Sequence, residues 1–193
     1  MKKTYHLPPD LNGFTLIEIL VVVAVTFILA AIMFGFSQKS RLSVALSSER
    51  TKLSQVIERA RSLALSGVAV NPSDLEPPCA YGVHLVAAWN SYSLFRYNPP
   101  APTLCDENIS SLDTSPTNFQ VLQNYEIISK KLKFGNPTDF TDILFLTSRP
   151  IALLFDSKNG RSVEPSVKIV IETLDTPPAS TEINVSQNGQ LSF

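Results

Sequence analysis

The stretch Gly13-Phe14-Thr15-Leu16-Ile17-Glu18-Ile19-Leu20-Val21-Val22-Val23 decides the fold, because it opens an apolar run that continues to about Phe36. At the rise of an α-helix, a run of this length crosses the roughly 30 Å hydrocarbon core of a bilayer. A membrane-spanning helix is therefore expected. Glu18 does not fit that solvent: a carboxylate inside hydrocarbon costs about 2.5–3.5 kcal/mol even on lenient insertion scales. It requires a compensating partner.

Helical spacing continues past Phe36 with a change of polarity. Leu42, Leu46, Leu53, Val56, Ile57, Ala60, Leu63 and Ala64 recur at three- and four-residue intervals, with Arg50, Lys52, Glu58, Arg59 and Arg61 mostly on other faces. This is the pattern of an amphipathic helix, expected to end near Gly67. The two halves together predict one long helix, about 80 Å if straight. Gly35 is compatible with a bend, though an ordinary membrane-helix glycine is the better reading.

From about Val68 the pattern is strand-like. Tyr81 to Trp89 and Tyr92 to Tyr97 flank Asn90-Ser91 and read as a hairpin, whereas Pro99 to Asn118, rich in Pro, Ser, Thr and Asp, reads as a loop. Further strands are expected at Gln120–Gln123, Tyr125–Phe134, Ile143–Leu146, Ile151–Asp156, Val167–Leu174 and Glu182–Val185. Asn159-Gly160 and Asn188-Gly189 are turn dipeptides, the second closing a terminal hairpin into Leu191 and Phe193. The fold class is α+β, a long amino-terminal helix followed by a mainly antiparallel β head.

The formal charge of −1 over 193 residues argues neither for nor against nucleic acid. Its distribution is more informative: Lys39, Arg41, Arg50, Lys52, Arg59 and Arg61 against Glu49 and Glu58 make residues 37–67 basic, so the head beyond is acidic. The two cysteines, Cys79 and Cys105, lie in the head and are compatible with one disulfide in an oxidising compartment. Two unrelated buried thiols are the alternative; the neighbouring proline clusters, which place both residues beside loops, favour the bridge. No metal-ligand spacing such as Cys-x-x-Cys is present.

The opening residues resemble the processing and methylation signature of type IV prepilins and pseudopilins: a glycine, an aromatic, a hydroxyl residue, two aliphatics and a glutamate directly before an apolar run. The resemblance covers Gly13 to about Ala31. It implies that a membrane prepilin peptidase cuts between Gly13 and Phe14 and methylates the new amine of Phe14. Glu18 then becomes the fifth residue of the mature chain, where it can meet the amine of a neighbouring copy. Pairing with its own amino terminus, or snorkelling to the interface, is the alternative reading of Glu18.

The organisation that follows is a leader at 1–13, a transmembrane or fibre-core helix at 14–36, its amphipathic continuation at 37–67 and a β-rich head at 68–193. Lys2 and Lys3 at one end of the run are balanced by Lys39 and Arg41 at the other, so basic charge does not set topology. The resemblance and the cysteines imply a cytoplasmic leader and an outward-facing head on the inner membrane. Ordinary signal-peptide cleavage near Ala30-Ala31 is disfavoured by the length of the run and by Glu18. Glu58-Arg59-Ala60-Arg61-Ser62-Leu63-Ala64, Tyr81-Gly82-Val83 and Tyr92-Ser93-Leu94-Phe95-Arg96 are similar to motifs of the GspH/FimT-type minor pseudopilins, although the loop at Pro99 to Asn118 has no clear counterpart there.

The expected function is structural: a subunit of a type IV pilus, a type II secretion pseudopilus or a DNA-uptake filament. Its implied partners are the prepilin peptidase and methyltransferase, other pilin or pseudopilin subunits, an inner-membrane assembly platform and membrane lipid. A solitary anchored module whose β head binds a ligand is the alternative. No catalytic residues, metal or cofactor are expected. His84 is the one histidine beyond the leader and reads as a strand residue; Asp139 with Asp142, or Asp156 with Asn159, lack the carboxylate density of a calcium loop and read as turn formers. Tyr81, Trp89, Tyr92, Phe95 and Tyr97 read as core aromatics rather than a nucleic-acid stacking surface, since Arg96 is the only basic residue among them.

Overall fold

The computed structural model describes residues 15–67, 78–100, 105–106, 108–135, 140–147, 149, 151–156 and 160–193. Helix α1 spans Leu16–Ser66 and is followed, among the described residues, by nine strands: β1 Ala80–Val86, β2 Ser91–Tyr97, β3 Phe119–Glu126, β4 Leu132–Phe134, β5 Phe140–Leu146, β6 Ala152–Asp156, β7 Ser166–Thr173, β8 Ser180–Ser186 and β9 Leu191–Ser192. The fold is the α+β arrangement the sequence predicts. The chain divides into two compact units, residues 1–41 and 42–193.

In the first unit, Leu16–Met33 is apolar enough to cross a membrane, with a mean hydropathy of 2.9, and none of it is buried within the protein. In the second, residues of α1 from Leu46 onward enter the head. Leu46, Leu53, Val56, Ile57, Ala60 and Ala64 are buried, a stripe at the three- and four-residue spacing of one helix face. Gly67, at φ 60°, ends the helix in the left-handed conformation, its N–H donating to the Ala64 carbonyl at 3.3 Å.

Two antiparallel sheets cover that stripe, one ordered β3-β2-β1-β5-β6 and one ordered β4-β7-β8-β9. Alternation along each strand decides what faces the helix. Tyr81, Val83 and Leu85 of β1, Ile143 and Phe145 of β5, and Ile169 and Ile171 of β7 join the helix stripe in one core. Ala80, Phe95, Tyr97, Leu144, Leu146 and Phe155 take the other face of the five-stranded sheet, where Ile109 and Leu112 of the long loop cover them. That loop is fastened by the Cys79–Cys105 disulfide, Cα–Cα 5.4 Å, and by a bond from the Asp113 N–H to the Tyr97 hydroxyl at 3.3 Å.

Two expectations need correction. The single strand expected at Tyr125–Phe134 is two strands in different sheets, because the chain crosses over at 127–131 and is held there by the helix: Glu49 Oε1 accepts the Ile128 N–H at 3.1 Å. The hairpin turn is also longer than a two-residue loop, since Ala87–Trp89 form a 3-10 turn and Asn90 adopts φ 48°, leaving Ser91 as the first residue of β2.

Gly82 is the tightest glycine in the sheet. A Cβ there would lie 2.5 Å from the Ile143 carbonyl oxygen and from a ring carbon of Phe95. Gly82→Ala is expected to destabilise the head by about 1–3 kcal/mol through overpacking, read as a lowered denaturation midpoint by near-ultraviolet circular dichroism of the detergent-solubilised chain. Replacing both cysteines by serine reopens a loop of 26 residues and is expected to cost about 3 kcal/mol in the same measurement.

Candidate functional site

The described residues of the sequence signature, from Thr15 onward, open α1. Gly13 and Phe14 lie outside the described residues. Thr15 precedes the first helical turn and Glu18 occupies the third position of that turn, so Thr15-x-x-Glu18 forms a capping box. The Glu18 N–H donates to Thr15 Oγ1, and Glu18 Oε2 accepts from the Thr15 N–H and hydroxyl, each at 3.4 Å. These distances exceed the usual 2.7–3.2 Å, so the carboxylate is only loosely held by its own helix. The sequence carries the signal for this cap in a hydroxyl residue followed three places later by a glutamate, directly before an apolar run.

Helix geometry explains why a carboxylate suits this place. The first turn presents unpaired backbone N–H groups and the positive end of the helix dipole, both of which favour an anion. Leu16, Ile17, Ile19, Leu20 and Val21 are all more than half exposed, so none of the described residues covers them.

A second cluster lies within the head. His84 of β1 and Asp142 of β5 are directly opposite in register, and His84 Nδ1 lies 2.8 Å from Asp142 Oδ1. The ring of His84 stands edge-on to Phe119 at 5.7 Å. Asp142 is fully buried, and its Oδ2 has no hydrogen-bond partner among the described residues. Asp142 is thus a paired sheet residue, which corrects its reading as a turn former. Pairing with His84 depends on the β1–β5 register, and no local pattern in either segment announces it.

The calcium candidates fall only partly within the described residues. Asp139 and Asn159 lie outside the described residues, Asp156 accepts the Gly160 N–H at 3.0 Å, and no cluster of three metal-ligating side chains occurs among the described residues. Of the aromatics, Tyr81, Tyr92, Phe95 and Tyr97 are core residues as expected, whereas Trp89 is 80% exposed.

The bond to Asp142 raises the pKa of His84 above 6.5 against the opposing effect of burial. A raised histidine contributes stability that is complete below its unfolded pKa and is lost as pH climbs through the folded value. The denaturation midpoint is therefore expected to fall on going from pH 6 to pH 8.5, and His84→Gln to flatten that part of the profile.

Residues 12–34 match the family model of the prokaryotic N-terminal methylation motif. No curated protein and no solved structure matches the chain. The matched residues contain Thr15 and Glu18 with the cap they form, together with the whole apolar window Leu16–Met33. The match covers the amino-terminal segment alone, and there it supports the likeness to the type IV prepilin family, whose precursors prepilin peptidase processes.

Proposed function

We propose that the chain is a minor subunit of a type IV pilus, a type II secretion pseudopilus or a DNA-uptake filament, cut between Gly13 and Phe14 and methylated on the Phe14 amine. The observation that carries this reading is the apolar helix start: a window of 18 residues with no internal cover and one carboxylate in its first turn, inside the matched motif. Residues 14–36 serve first as a membrane anchor and then as the packed centre of a fibre. Residues 37–67 continue the helix into the head, and residues 68–193 form the outward-facing part. The disulfide supports an oxidising compartment for that part, and the head motifs at Glu58–Ala64, Tyr81–Val83 and Tyr92–Arg96 favour a GspH/FimT-type subunit.

Glu18 supplies the selective step. In lipid its charge is poorly compensated, the capping contacts being long and exposed. In a fibre its carboxylate meets the positive amine of Phe14 on the adjacent subunit, which sets the axial register between copies. The assembly platform of the inner membrane is the place where that exchange occurs.

Two experiments test this reading. Mass spectrometry of the chain isolated from a host with an active prepilin peptidase is expected to show a terminus at Phe14 carrying one added methyl group; a solitary anchored binding module would instead retain Met1 to Gly13. Glu18→Ala is expected to leave membrane insertion intact and to reduce recovery in sheared filaments at least about tenfold, the scale of one lost ion pair in an apolar setting. Normal recovery of that variant would remove Glu18 from the assembly mechanism.

A further inference from the structure

One end of the head gathers exposed apolar side chains that the core does not use. Trp89 is 80% exposed, Ile128 78% and Leu174 56%. They sit on three separate turns that are tied to one another. The carbonyl of Asn90, next to Trp89, accepts the Ile127 N–H at 3.0 Å, and the Lys131 carbonyl accepts the Leu174 N–H at 2.9 Å. Asn90 Oδ1 also accepts the Phe134 N–H at 3.1 Å. The three side chains are thus displayed from a braced platform.

The helix reaches the same end. Glu49 accepts the Ile128 N–H, and Lys52 Nζ donates to the Glu126 carbonyl at 2.9 Å, whereas Arg61, further along the helix, lies beside Gly189 and Phe145. The chain therefore enters the head at the end that carries Trp89, Ile128 and Leu174. Met33, the last residue of the apolar window, is nine residues before Leu42, the first of the head unit. Nine residues reach at most about 30 Å even when fully extended. On the anchored reading of residues 14–36, so short a tether leaves a lipid surface within reach of the head.

The charge of this end suits such a surface. Lys130 and Lys131 are exposed between Ile128 and β4, and the half-buried Lys52 reaches the Glu126 carbonyl; Glu126 and Asp175 are the exposed acids of the same turns. Lys133 is engaged with Glu172 at 2.9 Å. An indole with its apolar body and polar N–H, flanked by aliphatic side chains and exposed lysines, is the chemistry that favours the headgroup layer of a bilayer with anionic lipid.

We propose that the Trp89–Ile128–Leu174 end of the head, with Lys130 and Lys131, docks on the anionic lipid surface around its own anchor and holds the unassembled subunit there. The proposal rests on the anchored reading of residues 14–36. Docking covers three large apolar side chains that water otherwise solvates, and release of this end accompanies withdrawal of the helix from lipid.

Trp89 is the only tryptophan in the chain, so its fluorescence reports this contact directly. The full chain reconstituted into vesicles of phosphatidylglycerol and phosphatidylcholine is expected to show a blue-shifted emission that lipids brominated high on the acyl chain quench. Lys130→Gln with Lys131→Gln is expected to lower the ratio of docked to free heads about tenfold, and vesicles of phosphatidylcholine alone to do the same. Emission at the wavelength of an exposed indole, unquenched in vesicles that retain the chain through an alkaline wash, would overturn the docking and leave the anchor standing. Chain lost in that wash would overturn the anchor and the docking together. A blue shift that grows with the protein-to-lipid ratio and resists bromine quenching would assign the surface to a second copy and overturn the lipid proposal.

Discussion

The head exists because one helix face has to be covered from two sides. Leu53, Ala60 and Ala64 are fully buried, and buried residues of both sheets join that helix stripe in one core. The five-stranded sheet covers one side and the four-stranded sheet the other. Small residues at 60 and 64 let the helix approach closely, while Leu53, Val56 and Ile57 fill the space between the layers. Removing the helix would leave both inner faces open to water, so the head and the last part of α1 form a single folding unit.

Polar groups of the helix fix where the chain changes sheet. Glu49, only 4% exposed, receives the Ile128 N–H at the crossover between β3 and β4. Lys52 donates to the Glu126 carbonyl beside it and lies over the Tyr92 ring at 5.9 Å. Tyr92 stacks on Tyr125 at 5.2 Å, and its hydroxyl pKa is pushed upward by burial and by the Glu49 charge. Arg50 and Arg59 make comparable bonds to Thr181 and Gln123. The basic residues that mark this part of the sequence are thus partly engaged by the head itself.

Legibility follows the range of the interactions. The span, the amphipathic stripe and most strands repeat at the period of their own secondary structure, so composition and spacing expose them. The crossover at 127–131 is not legible, since Tyr125 to Phe134 has strand-like composition throughout and the break is imposed by Glu49, far away in sequence. His84 and Asp142 are 58 residues apart and meet only through strand register. Trp89 departs from expectation for a local reason: its position continues the sequence alternation of β1, but the strand ends at Val86 and the 3-10 turn Ala87–Trp89 breaks that period, leaving the indole outside the core. At the amino terminus, by contrast, the cap of Thr15 and Glu18 is contained in four consecutive residues.

The uncovered helix poses a problem of selection that apolarity cannot solve. Lipid tails and the packed centre of a fibre are nearly equivalent solvents for Leu, Val and Ile, so moving such side chains from one to the other changes their free energy little. A charge is different, because its cost in hydrocarbon falls sharply when an opposite charge stands beside it. Glu18 is the one acidic or basic residue in the window Leu16–Met33. In the proposed assembly the apolar residues make both locations habitable, and the carboxylate alone distinguishes them. Its loose capping by Thr15 suits this role, since contacts of 3.4 Å are enough to orient the side chain at the helix start and weak enough to be exchanged for a neighbouring amine.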